Sequence, residues 1–297
     1  MKSKARIFIA FILNFLFSAF ELIGGLITGS VAIMSDAVHD FCDSVSIGIA
    51  YLFEKISNKK TDKKYSYGYA RFSVLGGLIT TFILLISSII VVYNAILRII
   101  TPVQINYNFM IIFAVFGFMV NLLATYFTHG GKSINQRAVN LHMLEDVLGW
   151  LVVLIGAIVM KFTNFYIVDP ILSIAIAIFI LFNSVKFLVQ ISHIFLMKTP
   201  KNINLDELIS HIQEIDGVIG VHHIHVWSID GESHCATLHV VLREFDSNIK
   251  KLIKEELKEH GISHITIEIE TEQEECLERY CVIEKSANHG HHCHHNR

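Results

Sequence analysis

The feature that most constrains this chain is a series of long apolar segments that fill its first two thirds and fade after Lys198. A helix of about 20 apolar residues crosses the hydrocarbon core of a bilayer. Six such segments lie at approximately 7–27, 30–53, 71–98, 109–127, 137–161 and 168–196. With 53% hydrophobic and only 17% charged residues, the chain has the composition of a membrane protein. We therefore expect a polytopic α-helical membrane protein with six transmembrane helices.

Basic residues are distributed unevenly between the two ends of these segments. One side of the predicted bundle carries Lys2, Lys4, Arg6, Lys55, Lys59, Lys60, Lys63, Lys64, Arg71, Lys132 and Arg137. The other side carries little more than Arg98 and Lys161. Because short loops rich in Lys and Arg stay in the cytoplasm, the pattern predicts a multi-pass protein of the cytoplasmic membrane with both termini cytoplasmic. The net charge of −3 and the lack of a basic face argue against a nucleic-acid partner.

Two of the apolar segments contain ionisable residues near their middle, Asp36, His39, Asp40 and Asp43 in one and His142, Glu145 and Asp146 in the other. Each charged group at bilayer depth costs about 2.5–3.5 kcal/mol on insertion scales, so such groups mark a pathway or a site. His39 and Asp43 are four residues apart and therefore share one helix face. His142 and Asp146 repeat that spacing about a hundred residues later.

Two imidazoles and two carboxylates form a ligand set that suits Zn²⁺ in tetrahedral geometry. Because the Irving–Williams order alone does not select one metal, Cd²⁺, Co²⁺ and Ni²⁺ are possible lesser substrates. A polar helix–helix contact is the alternative explanation of a single His–Asp pair, and two matched pairs favour a metal site more strongly than one. Asp36, Asn121 and Asp169 are expected to hydrogen-bond to the ligands or to hold helix ends.

The same residues predict a mechanism. Imidazole titrates near neutral pH and binds metal only when deprotonated, so metal and protons compete for it. A mid-membrane site that opens alternately to each side would exchange metal for protons. The alternative is a membrane-anchored zinc sensor or buffer without transport. An intramembrane metalloprotease is disfavoured, since the sequence has no His-Glu-x-x-His string, and we expect no enzyme.

The chain changes character at Thr199. Periodicity predicts a helix at 205–215, strands at 218–229 and 234–242, a helix at 249–260 and a strand at 265–269. This αββαβ order predicts a cytoplasmic α+β domain of ferredoxin-like type. We expect domain limits of 1–198, 199–285 and 286–297, the last a flexible tail rich in His and Cys that collects or buffers zinc. Cys276 and Cys281, just before it, are further possible ligands.

Several short motifs carry a family resemblance. They are Gly29-Ser30-Val31-Ala32, Ser35-Asp36-Ala37-x-His39-x-x-x-Asp43, Tyr65-Ser66-Tyr67-Gly68-Tyr69-x-Arg71, Asn121, Lys132-Ser133-x-Asn135, Leu141-His142-x-x-x-Asp146 and Asp169-Pro170. On these motifs the chain resembles the cation diffusion facilitator family, the bacterial zinc exporters in particular, from about residue 7 to residue 270.

The resemblance has implications for assembly and for ligands. It implies a homodimer of six-helix subunits that exports divalent metal against protons, with a transport site at His39, Asp43, His142 and Asp146. It also implies zinc of regulatory or structural function in the cytoplasmic domain, at His222, His239, Glu268 and Glu270. On a regular strand His222 would point away from both His223 and His225, so we expect the three not to share a face.

Overall fold

The computed structural model describes residues 3–28, 31–101, 107–163 and 168–272. At some positions within the helices, among them Asp36, His39 and Asp169, it describes the backbone alone. Over these ranges the chain forms eight helices and three strands. They divide into two compact units, a helical one up to Lys198 and an α+β one that comprises Thr199–Ser228 and the described residues from Ser233 onward.

The first unit consists of six long helices. They are α1 (Ser3–Thr28), α2 (Val31–Ser57), α3 (Arg71–Ile100), α4 (Tyr107–Thr128), α5 (Ile134–Thr163) and α6 (Val168–Phe195). Among the described residues, α1, α3, α4, α5 and α6 each contain a stretch that is long and apolar enough to cross a membrane. The 27-residue α2 is equally long, but its acidic residues set it apart from the other five.

The surface of the helical unit is more apolar than that of a water-soluble bundle. Leu26, Ile89 and Ile112 are each at least 58% exposed, whereas Ile47 and Met143 are fully buried between helices. Apolar side chains that face outward in this way are suited to contact with lipid. Together with the five apolar spans, they indicate a multi-pass membrane unit. α5 lies centrally and contacts each of the other five helices.

Glycine allows two of these helices to approach closely. A Cβ atom on Gly117 of α4 would lie only 2.5 Å from the indole ring of Trp150 on α5. Any larger residue there would push the helices apart, which is the usual reason for small residues at helix contacts in membranes.

A buried carboxylate ties three helices together at one end of the unit. Glu54 is 3% exposed, and its Oε2 accepts hydrogen bonds from the hydroxyls of Ser73 and Ser133, both at 3.0 Å. Nδ2 of Asn135 donates to the backbone oxygen of Ala50 at 2.6 Å and lies 3.4 Å from the same carboxylate oxygen. The sequence pattern ended the second helix near residue 53, but this network keeps Glu54 inside α2, which continues to Ser57.

The second unit is an αββαβ arrangement. Its elements are α7 (Leu205–Gln213), β1 (Val218–Ser228), β2 (His234–Leu242), α8 (Ser247–Glu259) and β3 (Ile262–Thr271). The sheet order is β1-β2-β3, with β1 and β2 antiparallel and β2 and β3 parallel. Parallel strands need a crossover, and α8 supplies it.

Local chemistry fixes the limits of both helices of this unit. The side chains of Asn204 and Asp246 accept from the backbone N–H two residues on and so cap the starts of α7 and α8. Gly261, at φ +82°, ends α8 in the left-handed conformation that glycine adopts without strain.

One face of the sheet forms the core and the other carries polar groups. Leu208 and Ile212 of α7, with Ile253 and Leu257 of α8, are fully buried against alternate residues of β2 such as Leu238. Because successive strand residues point to opposite faces, His239 lies on the side away from the helices. Glu268 and Glu270 flank the core residue Ile269 and lie on that side as well.

A bulge in β1 changes the expected strand alternation. The pairing with β2 is irregular between His222 and His225, and His223 has φ +51°. As a result, the imidazoles of His222 and His223 both lie beside that of His239, with ring centroids 5.3 and 4.8 Å away. The expectation that His222 points away from His223 is therefore wrong here, because an extra residue in a bulge resets the phase of the strand.

Crowding of imidazoles affects the next histidine along β1. Burial lowers the pKa of His225, and the positive charges that protonated His223 and His239 would carry lower it further. His225 therefore stays neutral to a lower pH than an ordinary histidine, whose pKa is about 6.5.

We expect Glu54→Ala to destabilise the helical unit by about 1–3 kcal/mol, because it leaves buried donors without an acceptor. The measurement is the thermal midpoint of the detergent-solubilised full chain in the presence of a chelator. Lys55→Ala is the matched control, since its side chain is exposed on the same helix turn. Equal midpoints for the two variants would contradict a stabilising function of Glu54.

The lowered pKa of His225 predicts a sign for the pH dependence of stability. As pH falls through about 6.5 the unfolded chain takes up a proton that folded His225 resists, so the free energy of unfolding should decrease. Histidine-selective ¹³C NMR should give a titration midpoint below the ordinary value, with the resonance assigned by its loss in His225→Gln. A midpoint at or above the ordinary value would refute the prediction.

Candidate metal centres

The first group of possible metal ligands lies where α2 meets α5. Asp43 of α2 is 4% exposed and His142 of α5 is 1% exposed, and Nε2 of His142 lies 3.7 Å from Oδ1 of Asp43. Asp146 lies one turn after His142 on α5, as the sequence spacing requires. One ligand atom from each of the three residues lies within 4.8 Å of the other two.

This geometry is close to that of a zinc site. With bonds of about 2.0–2.2 Å, tetrahedral ligand atoms are about 3.3–3.6 Å apart. Small side-chain rotations would bring three nitrogen and oxygen atoms of Asp43, His142 and Asp146 to that separation. Two carboxylates this close and largely shielded from water repel each other unless a cation, either a metal ion or a proton, lies between them. Chemically, either a metal ion or a proton could therefore occupy this group.

Of the remaining predicted residues of this site, the structure describes the side chain of one and only the backbone of the others. His39 lies on α2 one turn before Asp43, but its side chain falls outside the described part of the chain, as do those of Asp36 and Asp169. Asn121 is buried in α4 and its Nδ2 donates to the backbone oxygen of Gly117 at 3.1 Å, a contact within its own helix.

Glu145 is directed toward a different helix from its neighbour Asp146. One carboxylate oxygen accepts a hydrogen bond of 3.1 Å from the hydroxyl of Ser88 on α3. Two adjacent acids on α5 thus make separate contacts, and Asp146 alone of the two belongs to the group with Asp43 and His142.

A second group lies on the polar face of the sheet in the α+β unit. His222 and His239 face each other across β1 and β2, and Glu270 of β3 lies against both. One carboxylate oxygen of Glu270 is 2.6 Å from Nδ1 of His239, and the other is 3.2 Å from Nε2 of His222. Three of the four residues that the family resemblance implied are thus brought together.

The fourth residue is less closely associated. Oε2 of Glu268 lies 3.8 Å from Nε2 of His239, and its side chain is 69% exposed. His223, which the bulge places next to His239, is a neighbour that strand alternation did not predict. Cys276, Cys281 and the tail at 286–297 fall outside the described residues.

A third group was not predicted from the sequence. His211 of α7 approaches Glu256 of α8 and His260, which follows α8 directly. The sequence did contain one sign of this group. Glu256 and His260 are four residues apart at the end of an amphipathic helix, and that spacing puts both on one face. The contribution of His211 depends on how the two helices pack, which the sequence does not reveal.

Sequence comparison covers nearly the whole chain. Residues 7–196 match the profile of the cation efflux transmembrane domain, and residues 200–272 match that of the cation efflux protein cytoplasmic domain. The cadmium, cobalt and zinc/H(+)-K(+) antiporter of Bacillus subtilis strain 168 is 30% identical over 98% of this chain and 97% of its own length.

Two further relatives have related names. The zinc transporter ZitB of Yersinia pseudotuberculosis is 32% identical over 99% of this chain and 96% of its own length. The metal cation efflux system protein CzcD of Cupriavidus metallidurans is 31% identical over 88% of this chain and 85% of its own. With both of its units matched by the profiles, the chain belongs to the cation efflux, or cation diffusion facilitator, family of membrane transporters.

Proposed function

We propose that this protein exports Zn²⁺ from the cytoplasm in exchange for protons, with Cd²⁺, Co²⁺ and Ni²⁺ as possible lesser substrates. The observation that carries the proposal is the convergence of Asp43, His142 and Asp146 from two helices of the helical unit, the first two buried and the third partly buried. An isolated carboxylate in such surroundings is costly, and a metal ion offsets that cost by coordination. The relatives named as zinc transporters support zinc as the cargo.

His39 is the fourth ligand in this proposal. It lies four residues before Asp43 on α2, as Asp146 lies four residues after His142 on α5. A His–Asp pair from each helix would close a tetrahedron around one ion and leave no permanent open position. Such a site binds cargo, whereas a catalytic zinc site keeps a position for water and substrate.

Proton coupling follows from the ligand chemistry. Metal binding requires neutral imidazole and ionised carboxylates, so a proton that arrives on these groups displaces the metal. A site that faces the cytoplasm and then the opposite side would therefore release zinc where protons are abundant. The B. subtilis relative, named as a cadmium, cobalt and zinc/H(+)-K(+) antiporter, supports exchange of metal for protons.

The proposed architecture is a homodimer in the cytoplasmic membrane with six spans per subunit, α2 being the sixth, and with both termini cytoplasmic. Its parts are a transport domain at 1–198, a ferredoxin-like domain at 199–285 and a His/Cys-rich tail at 286–297. The αββαβ order supports the ferredoxin-like assignment. Zinc at His222, His239 and Glu270, with Glu268 beside them, would be regulatory or structural. Cys276 and Cys281 would add thiolate ligands.

The alternative is a membrane-anchored zinc sensor or buffer. The observation in its favour is the His222, His239 and Glu270 group, which could bind zinc without any transport. Flux separates the two functions, because a sensor binds zinc but does not move it across a sealed membrane.

We expect Asp43→Asn and Asp146→Asn each to slow zinc uptake into proteoliposomes at least about tenfold. Loss of a residue that only supports a metal ligand already costs about 10–100-fold in affinity or activity, and loss of a ligand should cost no less. The measurement is the initial rate reported by a zinc indicator in the lumen. Glu145→Gln is the matched control, because its carboxylate contacts Ser88 on α3.

Two different outcomes would count against the proposal, one against the site residues and one against transport itself. Equal rates for all three variants and the unaltered protein would remove Asp43 and Asp146 from the transport site. A rate for the unaltered protein no higher than that of protein-free liposomes would favour the sensor. Size-exclusion profiles check that each variant is folded.

We expect an acidic lumen to drive zinc accumulation. For each proton exchanged, one pH unit supplies about 1.36 kcal/mol, which corresponds to about a tenfold zinc gradient. The measurement compares proteoliposomes with and without an imposed pH gradient, before and after a protonophore collapses it. Accumulation that is indifferent to the gradient would refute proton coupling while leaving zinc transport intact.

A further inference from the structure

We propose that His211, Glu256 and His260 form a separate zinc-binding site that joins α7 to α8 in the α+β unit. The site lies on the helical layer of this unit, whereas His222, His239 and Glu270 lie on the open face of the sheet. It uses neither the transport ligands nor the tail. The proposal therefore does not depend on whether the protein transports zinc.

The ligand atoms are already close to zinc-binding distances. Nδ1 of His211 lies 3.0 Å from Oε1 of Glu256. The imidazole of His260 lies beside the same carboxylate, with its Nδ1, which is not the metal-binding atom, 3.5 Å from Oε1. The two imidazole centroids are 5.2 Å apart. One ligand atom from each residue lies within 4.8 Å of the others, so small side-chain rotations would bring them to the separation of about 3.3–3.6 Å in a tetrahedral zinc site.

The tautomer of one imidazole suits metal binding. Nδ1 of His260 lies 3.1 Å from the backbone oxygen of Glu256, and a carbonyl oxygen can only accept, so Nδ1 carries the proton. The lone pair is then on Nε2, the atom that would bind the metal. A backbone carbonyl that orients a histidine in this way is a common support of metal ligands.

The hydrophobic core holds the two helices in register. His211 is followed in α7 by Ile212, and Glu256 is followed in α8 by Leu257, both fully buried. Because these core residues fix the rotation of each helix, the polar residues next to them are held in position before any metal arrives. Little ordering of the backbone would then oppose binding.

Helix ends add an electrostatic contribution. His211 is in the last turn of α7, and His260 is the residue that ends α8. The carboxyl ends of both helices therefore meet at this group, and each carries the partial negative charge of the helix dipole. A divalent cation is favoured there.

Exposure determines which kind of site this is. The side chains of His211, Glu256 and His260 are 41%, 26% and 21% exposed. A zinc ion could reach three protein ligands from solvent and keep water as its fourth. We infer a site that exchanges with free zinc and that fastens α7 to α8 when it is filled.

The test compares the full chain in detergent with a His211→Gln/His260→Gln variant. After equilibration with buffered zinc, metal analysis should find one zinc fewer per chain in the variant. Zinc should slow hydrogen exchange in peptides covering 205–213 and 247–259 of the unaltered protein, and this slowing should be lost in the variant. His264→Gln is the matched control, since it removes an exposed imidazole of β3 outside the group.

A single Glu256→Gln change provides a second test in case the double histidine variant fails to fold. It keeps the shape of the side chain but removes the charge, and it should weaken the zinc-induced slowing at the same peptides. The proposal is overturned if either folded variant binds as much zinc as the unaltered protein and shows the same slowing of exchange. Zinc flux has no bearing on these readouts, so failure of this site and failure of the transport proposal are distinguishable.

Discussion

The cost of burying a carboxylate among apolar helices governs the organisation of this molecule. A charged group in such surroundings is stable only when hydrogen bonds, an opposite charge or a metal ion compensate for lost water. The helical unit contains several acids of this kind, and their neighbours differ. Those neighbours determine whether an acid belongs to the framework or to the site.

Glu54 and Asp43 illustrate the two outcomes on one helix. Glu54 accepts hydrogen bonds from neutral groups of Ser73 and Ser133, so its charge is compensated within the protein itself. Asp43 instead faces His142 and Asp146, a set with too much acid to be compensated without an added cation. Glutamate at the first position therefore stabilises helix packing, while aspartate at the second belongs to the proposed transport site, where a metal ion or a proton would balance its charge. The same comparison separates Glu145, bonded to Ser88, from its neighbour Asp146.

Much of this arrangement could be predicted from the sequence, because hydropathy and the four-residue spacing are local properties. The helices, the αββαβ order and the pairing of His142 with Asp146 on one helix face follow from them. The extension of α2 to Ser57 could not, since it depends on donors from α3 and α5 that reach Glu54. The bulge at His223 could not be predicted either, because the alternation of side chains between the two faces assumes a regular strand. The approach of His211 to Glu256 depends on the packing of two helices.

The hydrogen bonds of Glu54 also set the mechanics of α2. They fix one end of that helix to α3 and α5, while Asp43 lies 11 residues earlier along it. At 1.5 Å per residue the distance from Glu54 to Asp43 is about 16 Å. With that end as a pivot, a tilt of only about 10° would move Asp43 by about 3 Å, which approaches the spacing between two zinc ligands. In the proposed transporter, a small rotation of α2 about its fixed end would therefore be enough to open or close the metal site.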